Sequence, residues 1–240
     1  LILQKKGVKK HTFNGWNRSS EVLLLTLPAF RDLLAEQVTG KKKILKSGVR
    51  TIVSDFEDTM KIRTFQELLF VIHTQTEKHV LSSEPETLAA QLAGSDLLQI
   101  LAETHKGEAP FYFRIGVSGG MALEERSSFS RQTAAAIEKA FARKLINSTS
   151  HYEVEIRLLQ NREGGFVPLL KLYTLPDHRF DYRRYYVAAS MKPTMAAGLL
   201  ALAKPYLKEH AQILDPFCGV GTMLIERNKV VKVKEMYGKE

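Results

Sequence analysis

Apolar and polar positions alternate along this chain with two different periods, and their order predicts one kind of fold followed by another. Val22 to Leu27 is an almost unbroken apolar run that reads as a buried strand. Pro28 then opens a helix in which Phe30, Leu33, Leu34 and Val38 share a face until Gly40 ends it. Val49 to Val53 looks extended, and Leu68, Leu69 and Ile72 are spaced for a second amphipathic helix over Phe65–Thr74. Residues 1–20 carry Lys5, Lys6, Lys9 and Lys10 without a sustained period, which predicts an arm or an irregular first strand.

After the break at Ser82-Ser83-Glu84-Pro85-Glu86, helical spacing covers 87–104, and the aromatic, β-branched run Pro110 to Val117 predicts a strand. Gly116, Gly119 and Gly120 mark a turn. Ser130 can cap a helix that places Ala134, Ile137, Phe141 and Leu145 on one face and Lys139, Arg143 and Lys144 on the other. Val154, Ile156 and Leu158 alternate with Glu153, Glu155 and Arg157, and Gly164-Gly165 turns this strand back into Phe166–Tyr173 as a hairpin. That order is α+β. From Ala211 it becomes strand, glycine turn, helix, an α/β pattern, so a boundary is expected near residues 175–190.

The 240 residues and 44% hydrophobic content suffice for a sizeable core in one or two domains. Lys plus Arg number 35 against 26 Asp plus Glu, a net charge of +9 that favours a polyanionic partner such as nucleic acid. A single cysteine excludes an internal disulfide framework and fits a reducing compartment, with the cytoplasm as default. No apolar run reaches the roughly 20 residues of a membrane helix. The seven histidines show no metal-ligand spacing, so no metal is expected.

The densest chemistry lies in Asp215-Pro216-Phe217-Cys218-Gly219-Val220-Gly221-Thr222, between the apolar Ala211–Leu214 and the helix start Met223-Leu224-Ile225-Glu226. This is where a nucleotide-type cofactor sits at the carboxyl end of a first parallel strand. No lysine follows Gly221, which excludes a P-loop, and Leu224 replaces the third glycine of a dinucleotide fingerprint. Asp215 is a poor neighbour for phosphate but a good one for a cation, so S-adenosylmethionine, with its ammonium and sulfonium, fits best. Glu240 stands 19 positions after Gly221 at the end of an expected strand Met236–Lys239, where an acid accepts hydrogen bonds from ribose hydroxyls. Glu226 is expected as a surface or helix-end contact, and Cys218 as a packed neighbour of the cofactor rather than a nucleophile. A bare strand-to-helix turn without ligand is the alternative.

Asp-Pro-Phe-Cys-Gly-x-Gly-Thr-x-Leu-Ile-Glu is very similar to motif I of the THUMP-containing RNA methyltransferases that modify guanine N2 in tRNA and ribosomal RNA. Residues 82–175, including Phe111-Tyr112-Phe113-Arg114-Ile115-Gly116, resemble a THUMP domain, and residues 21–80 resemble the ferredoxin-like domain that precedes it in that family. The resemblance implies an N-terminal arm and ferredoxin-like domain over 1–80, a THUMP RNA-binding domain over 81–175, and a linker with the start of a Rossmann-like methyltransferase domain over 176–240. Ala188-Ala189-Ser190-Met191-Lys192-Pro193 looks like the family's linker, which implies that Ser190, Lys192 and Pro193 line the cofactor pocket opposite Gly219. Pro193 suits a first helical position and Ser190 can cap that helix. Asp215, Pro216, Phe217, Cys218, Gly219, Gly221, Thr222 and Glu240 complete the expected cofactor set.

Arg179, Arg183 and Arg184, interleaved with Phe180, Tyr182, Tyr185 and Tyr186, can bind phosphates and stack bases, or form a half-buried strand with a basic edge. Lys41, Lys42, Lys43 and Lys46 are a lysine run that is either a solvated loop or a weaker RNA contact. The family's acceptor-holding Asn/Asp-Pro-Pro-aromatic tetrapeptide does not occur in these residues, so catalytic residues are not assigned and a truncated methyltransferase, inactive by itself, is expected. A non-catalytic RNA-binding module and a DNA amino-methyltransferase remain as alternatives, and either monomer or homodimer is compatible with the sequence.

Overall fold

The structure, a computed structural model, describes residues 11–15, 19–185, 187 and 190–239. In chain order it runs β1 (Thr12–Phe13), β2 (Ser20–Leu25), α1 (Arg31–Gln37), β3 (Lys42–Leu45), β4 (Gly48–Val53), α2 (Phe56–Thr59), β5 (Glu67–Val71), α3 (Pro85–Ala93), α4 (Leu97–Thr104), β6 (His105–Lys106), β7 (Phe111–Ser118), α5 (Leu123–Ala140), β8 (Leu145–Asn147), β9 (Val154–Gln160), β10 (Phe166–Leu172), α6 (Pro193–Ala203), β11 (Ala211–Asp215), α7 (Thr222–Val230) and β12 (Val233–Gly238). These elements group into two compact units. One joins the stretch ending at Val22 to Leu69–Pro176, and the other joins Leu23–Leu68 to the stretch from Asp177 onward. The chain passes from one to the other inside β2 and inside β5.

In the first unit the strands run β5, β10, β9, β7, β8, with β10 antiparallel to β5 and β9 and with β7 parallel to β8 and β9. Register sets the two faces. Phe113 lies opposite Val154 and Ile115 opposite Ile156, while Leu170 on β10 also meets Ile156, so these side chains share the core face. Phe113, Val154, Ile156 and Leu170 are fully buried there, and Phe129 of α5 stacks on Phe166 at 4.9 Å. The other face carries the intervening residues Arg114, Glu155, Arg157 and Lys171. The hairpin β9–β10 thus has the alternation expected from the sequence, although Glu155 is buried rather than solvated.

In the second unit β3 and β4 form an antiparallel hairpin against which α1 packs, and α6 packs on α1 and α7. A Cβ on Gly198 of α6 would lie 2.7 Å from the Phe30 ring, so glycine permits that helix to approach. β11 and β12 are parallel with α7 between them, a β-α-β unit with Leu214 opposite Tyr237 and Asp215 opposite Gly238.

Three expected elements differ. Phe65–Thr74 is not a helix: Glu67–Val71 is the strand β5, and Leu68 through Ile72 are all buried. A strand covered on both faces has a continuous apolar run, which contains the spacings 68, 69 and 72 by coincidence. The helix of this region is the single turn α2, whose N-cap Asp55 accepts from the backbone N–H groups of Glu57 at 2.7 Å and Asp58 at 3.2 Å. Lys42 and Lys43 of the lysine run lie in β3 rather than in a loop. α5 begins at Leu123 behind Ala122, seven residues before Ser130, because its first two turns are largely exposed and show no apolar period.

Candidate functional site

β11 ends at Asp215, and the chain then turns tightly into α7. Asp215 Oδ1 accepts the Phe217 N–H at 3.0 Å, an Asx turn that fixes the carboxylate at the strand end. The loop is tied to the neighbouring strand end by two backbone bonds: Cys218 N–H donates to Lys239 O and Lys239 N–H to Asp215 O, each at 3.2 Å. Cys218 Sγ packs where a Cβ on Gly238 would be, only 2.5 Å away. The thiol therefore packs the loop against the end of β12.

Gly219 and Gly221 have φ of +51° and +71°, the left-handed region that glycine enters without Cβ strain. A Cβ on Gly219 would meet nothing within 4 Å. Open space above a left-handed glycine is what a ligand approaching the backbone requires. Gly221 is the N-cap of α7 and offers no capping side chain, so the first-turn N–H groups have no side-chain cap. Thr222, 3% exposed, has a buried hydroxyl oxygen without a hydrogen-bond partner. Thr133 in α5 has a hydroxyl in the same state.

Phe217 is 90% exposed and Pro216 is also exposed. Pro193 stands at the first position of α6, as its chemistry suggests, but the N-cap is Lys192 and no side chain caps the helix. Ser190 Oγ instead accepts the Val187 N–H at 3.2 Å, so the expected cap is replaced by a local turn. Lys192 is exposed. Glu240, assigned to ribose, lies outside the described residues, as does Tyr186.

Three side chains offered as RNA contacts hydrogen-bond to other groups of the protein. Arg179, 8% exposed, donates through Nη1 to the carbonyls of Ile62 and Phe65 at 3.0 and 2.9 Å and through Nε and Nη2 to Asp177, with its guanidinium 3.7 Å over the Phe65 ring. Those pairings leave it organising its own turn rather than reaching for phosphate. The Asp177 carboxyl is pushed up by burial, but the hydrogen bond and charge of Arg179 hold it below its ordinary value. Lys42 Nζ donates to the Val38 carbonyl at 2.7 Å and to that of Ala35, closing the C-terminal end of α1. Tyr182 donates its hydroxyl to Glu226 at 2.5 Å. Arg184, Tyr185, Lys41 and Lys43 are exposed, while Arg183 lies in the turn that follows Phe180.

Glu226 is the residue the sequence reading misplaced. It is fully buried and accepts Arg63 Nε at 2.9 Å and Nη2 at 2.5 Å, besides the Tyr182 hydroxyl. Arg63 also donates to the Arg179 carbonyl at 2.5 Å and lies 4.6 Å over the Phe180 ring. Burial first, and the bond to Glu226 second, push the Tyr182 phenol well above its ordinary range. Nothing in the spacing around Leu224 and Ile225 distinguishes a buried acid from an exposed one, because the partner lies 163 residues upstream.

Residues 181–235 match the family model described as UPF0020: RMKL-like, methyltransferase domain. That segment is similar in sequence to a methyltransferase domain. The fold of the chain is similar to those of three solved structures. TrmN from Thermus thermophilus is 19% identical with a TM-score of 0.62, covering 91% of this chain and 65% of that one. A predicted N6-adenine-specific DNA methylase from Listeria monocytogenes str. 4b F2365 is 15% identical with a TM-score of 0.59, covering 87% and 54%. SMU.472, solved in complex with SAH, is 16% identical with a TM-score of 0.62, covering 89% and 56%. The chain thus spans less than two thirds of each of these proteins. No curated protein matches it. Among the described residues no helix is long and apolar enough to cross a membrane.

Proposed function

We propose that the Asp215–Thr222 loop binds S-adenosylmethionine and that the chain is part of an RNA methyltransferase acting on guanine N2 of tRNA or ribosomal RNA. In this reading residues 1–80 are an arm and a ferredoxin-like domain, residues 81–175 a THUMP domain, and both serve RNA binding in the cytoplasm. The observation that carries the cofactor reading is the left-handed glycine pair with open space at Gly219. The match of residues 181–235 to a methyltransferase-domain family supports it.

When bound, the cofactor supplies an electrophilic methyl group on a cationic sulfur. The chain's own residues then have separable tasks. Asp215, pinned by its Asx turn, presents a carboxylate to the cationic end of the ligand. Gly219 and Gly221 would let the ligand approach the backbone. Cys218 keeps its sulfur packed against Gly238 and would serve to shape the loop rather than act as a nucleophile. Positioning is then the main source of acceleration. The net charge of +9 and the exposed Arg184, Lys41 and Lys43 support an RNA partner.

Incubating the full-length methyltransferase of which this chain is proposed to be part with methyl-labelled S-adenosylmethionine and, separately, total tRNA, ribosomal RNA and duplex DNA tests this. Label entering either RNA pool is the expected result. Label in DNA alone would replace RNA by DNA as substrate, and label in no pool would defeat the proposal.

A further inference from the structure

The three buried residues of α7 are Thr222, Glu226 and Arg227, and all are polar. A helix that packs by a hydrophobic stripe has its rotation set by that stripe. In α7 the apolar Met223, Leu224, Ile225 and Val230 are only half-buried, so they set its rotation weakly. Its azimuth is fixed instead by side chains with directional partners: Glu226 on the Arg63 fork and the Tyr182 hydroxyl, and Arg227 through Nη2 on the Lys208 carbonyl at 2.7 Å. Thr222 and Glu226 are four residues apart and so lie on one face of the helix. Turning Glu226 turns Thr222 and the first-turn N–H groups by the same angle.

We infer that Arg63 and Tyr182 are positioning residues for the Asp215–Thr222 loop, acting through the Glu226 carboxylate to set the rotation of α7; this rests on the cofactor reading of that loop. The geometry favours orientation over adhesion. The Arg63–Glu226 contact is a bidentate fork, which specifies angle as well as distance. A buried ion pair adds little net stability compared with apolar residues of the same volume, yet it tolerates only one arrangement. Arg63 is held in turn by the Arg179 carbonyl and the Phe180 ring, and Arg179 by Ile62, Phe65 and Asp177. Residues 62–65 and 177–182 therefore form a bracket around the acid of the loop-bearing helix. A lysine at position 63 would keep the charge and lose the fork.

The test measures S-adenosylhomocysteine binding by calorimetry for the 240-residue chain and for Arg63→Ala, Arg63→Lys and Tyr182→Phe, each checked for an intact fold by circular dichroism. Amide exchange of peptides spanning α7 and α6 is followed in parallel. Arg63→Ala should weaken binding roughly 10- to 100-fold, Arg63→Lys and Tyr182→Phe by smaller factors. Exchange should accelerate in α7 and remain unchanged in α6. Folded variants that bind within about twofold of the parent would overturn the inference, as would acceleration spread equally over both helices. If the parent chain binds no S-adenosylhomocysteine, the cofactor reading fails and the exchange pattern alone decides whether Arg63 orients α7.

Discussion

Arg114 donates through Nε to Glu155 at 2.7 Å, directly across the parallel ladder between β7 and β9, on the face away from Phe113. The same carboxylate accepts Arg157 Nε at 2.7 Å and the Tyr173 hydroxyl at 3.0 Å, and the Arg114 guanidinium lies 4.1 Å over the Tyr152 ring. Glu155 is 3% exposed, so this acid has left water for three partner residues.

Burial pushes the Glu155 carboxyl up, but the charges and hydrogen bonds of Arg157 and Arg114 win and hold it below its ordinary value of 4.5. The folded state therefore binds its proton later than the unfolded state as pH falls. The resulting stabilisation is fully present above the unfolded value and drains away through the folded one. The urea midpoint of the parent should fall steeply below about pH 4.5, and Glu155→Gln should flatten that slope while lowering stability near neutrality. Parallel curves would refute the assignment.

His105 behaves with the same sign for a different reason. It is buried, with Nδ1 3.0 Å from the Leu101 carbonyl and Nε2 2.6 Å from Thr174 Oγ1, an arrangement that suits a neutral ring donating from Nδ1. Burial lowers its proton affinity from the ordinary 6.5. Unfolding takes up a proton below that value, so stability declines as pH drops below 6.5. Thermal midpoints measured over this window should lose that component in His105→Gln.

Gly198→Ala sets two effects against each other. Alanine is the better helix former by about 1 kcal/mol, but its Cβ would lie 2.7 Å from ring carbons of Phe30, and such overpacking costs about 1–3 kcal/mol. Net destabilisation is expected in denaturant unfolding. Phe30→Leu should suppress it in the double variant, a non-additivity that propensity alone would not produce.

Gly219→Ala separates binding from folding. The left-handed φ of +51° costs an alanine about 1 kcal/mol, and no neighbour obstructs its Cβ. The chain should remain folded, while the added methyl occupies the space above the loop and weakens S-adenosylhomocysteine binding about tenfold or more by calorimetry. Unchanged affinity in a folded variant would remove the loop from the site.

The strand, turn and helix around Asp215–Thr222 were legible because local chemistry dictates them: an apolar run, two glycines, then a helical stretch. The β9–β10 hairpin was legible for the same reason, since alternation and Gly164-Gly165 act over a few residues. β5 was misread because a strand buried on both faces has no period to distinguish it from a helix. Glu226, Arg179 and Lys42 were misread because their partners are set by tertiary contact. An acid or a guanidinium has the same letter whether solvated or clasped, and only the fold brings Arg63 to Glu226 or the Phe65 carbonyl to Arg179.

The division of the chain into interleaved stretches has a consequence during synthesis. Residues 23–68 belong with the stretch from Asp177 onward, and the whole of 69–176 must leave the ribosome between them. At about 5–20 residues per second, the earlier piece waits several seconds or more before its complement emerges. Meanwhile the buried face of α1 and the apolar strands near it are without their final covering. Slow codons placed before residue 177 would prolong that interval.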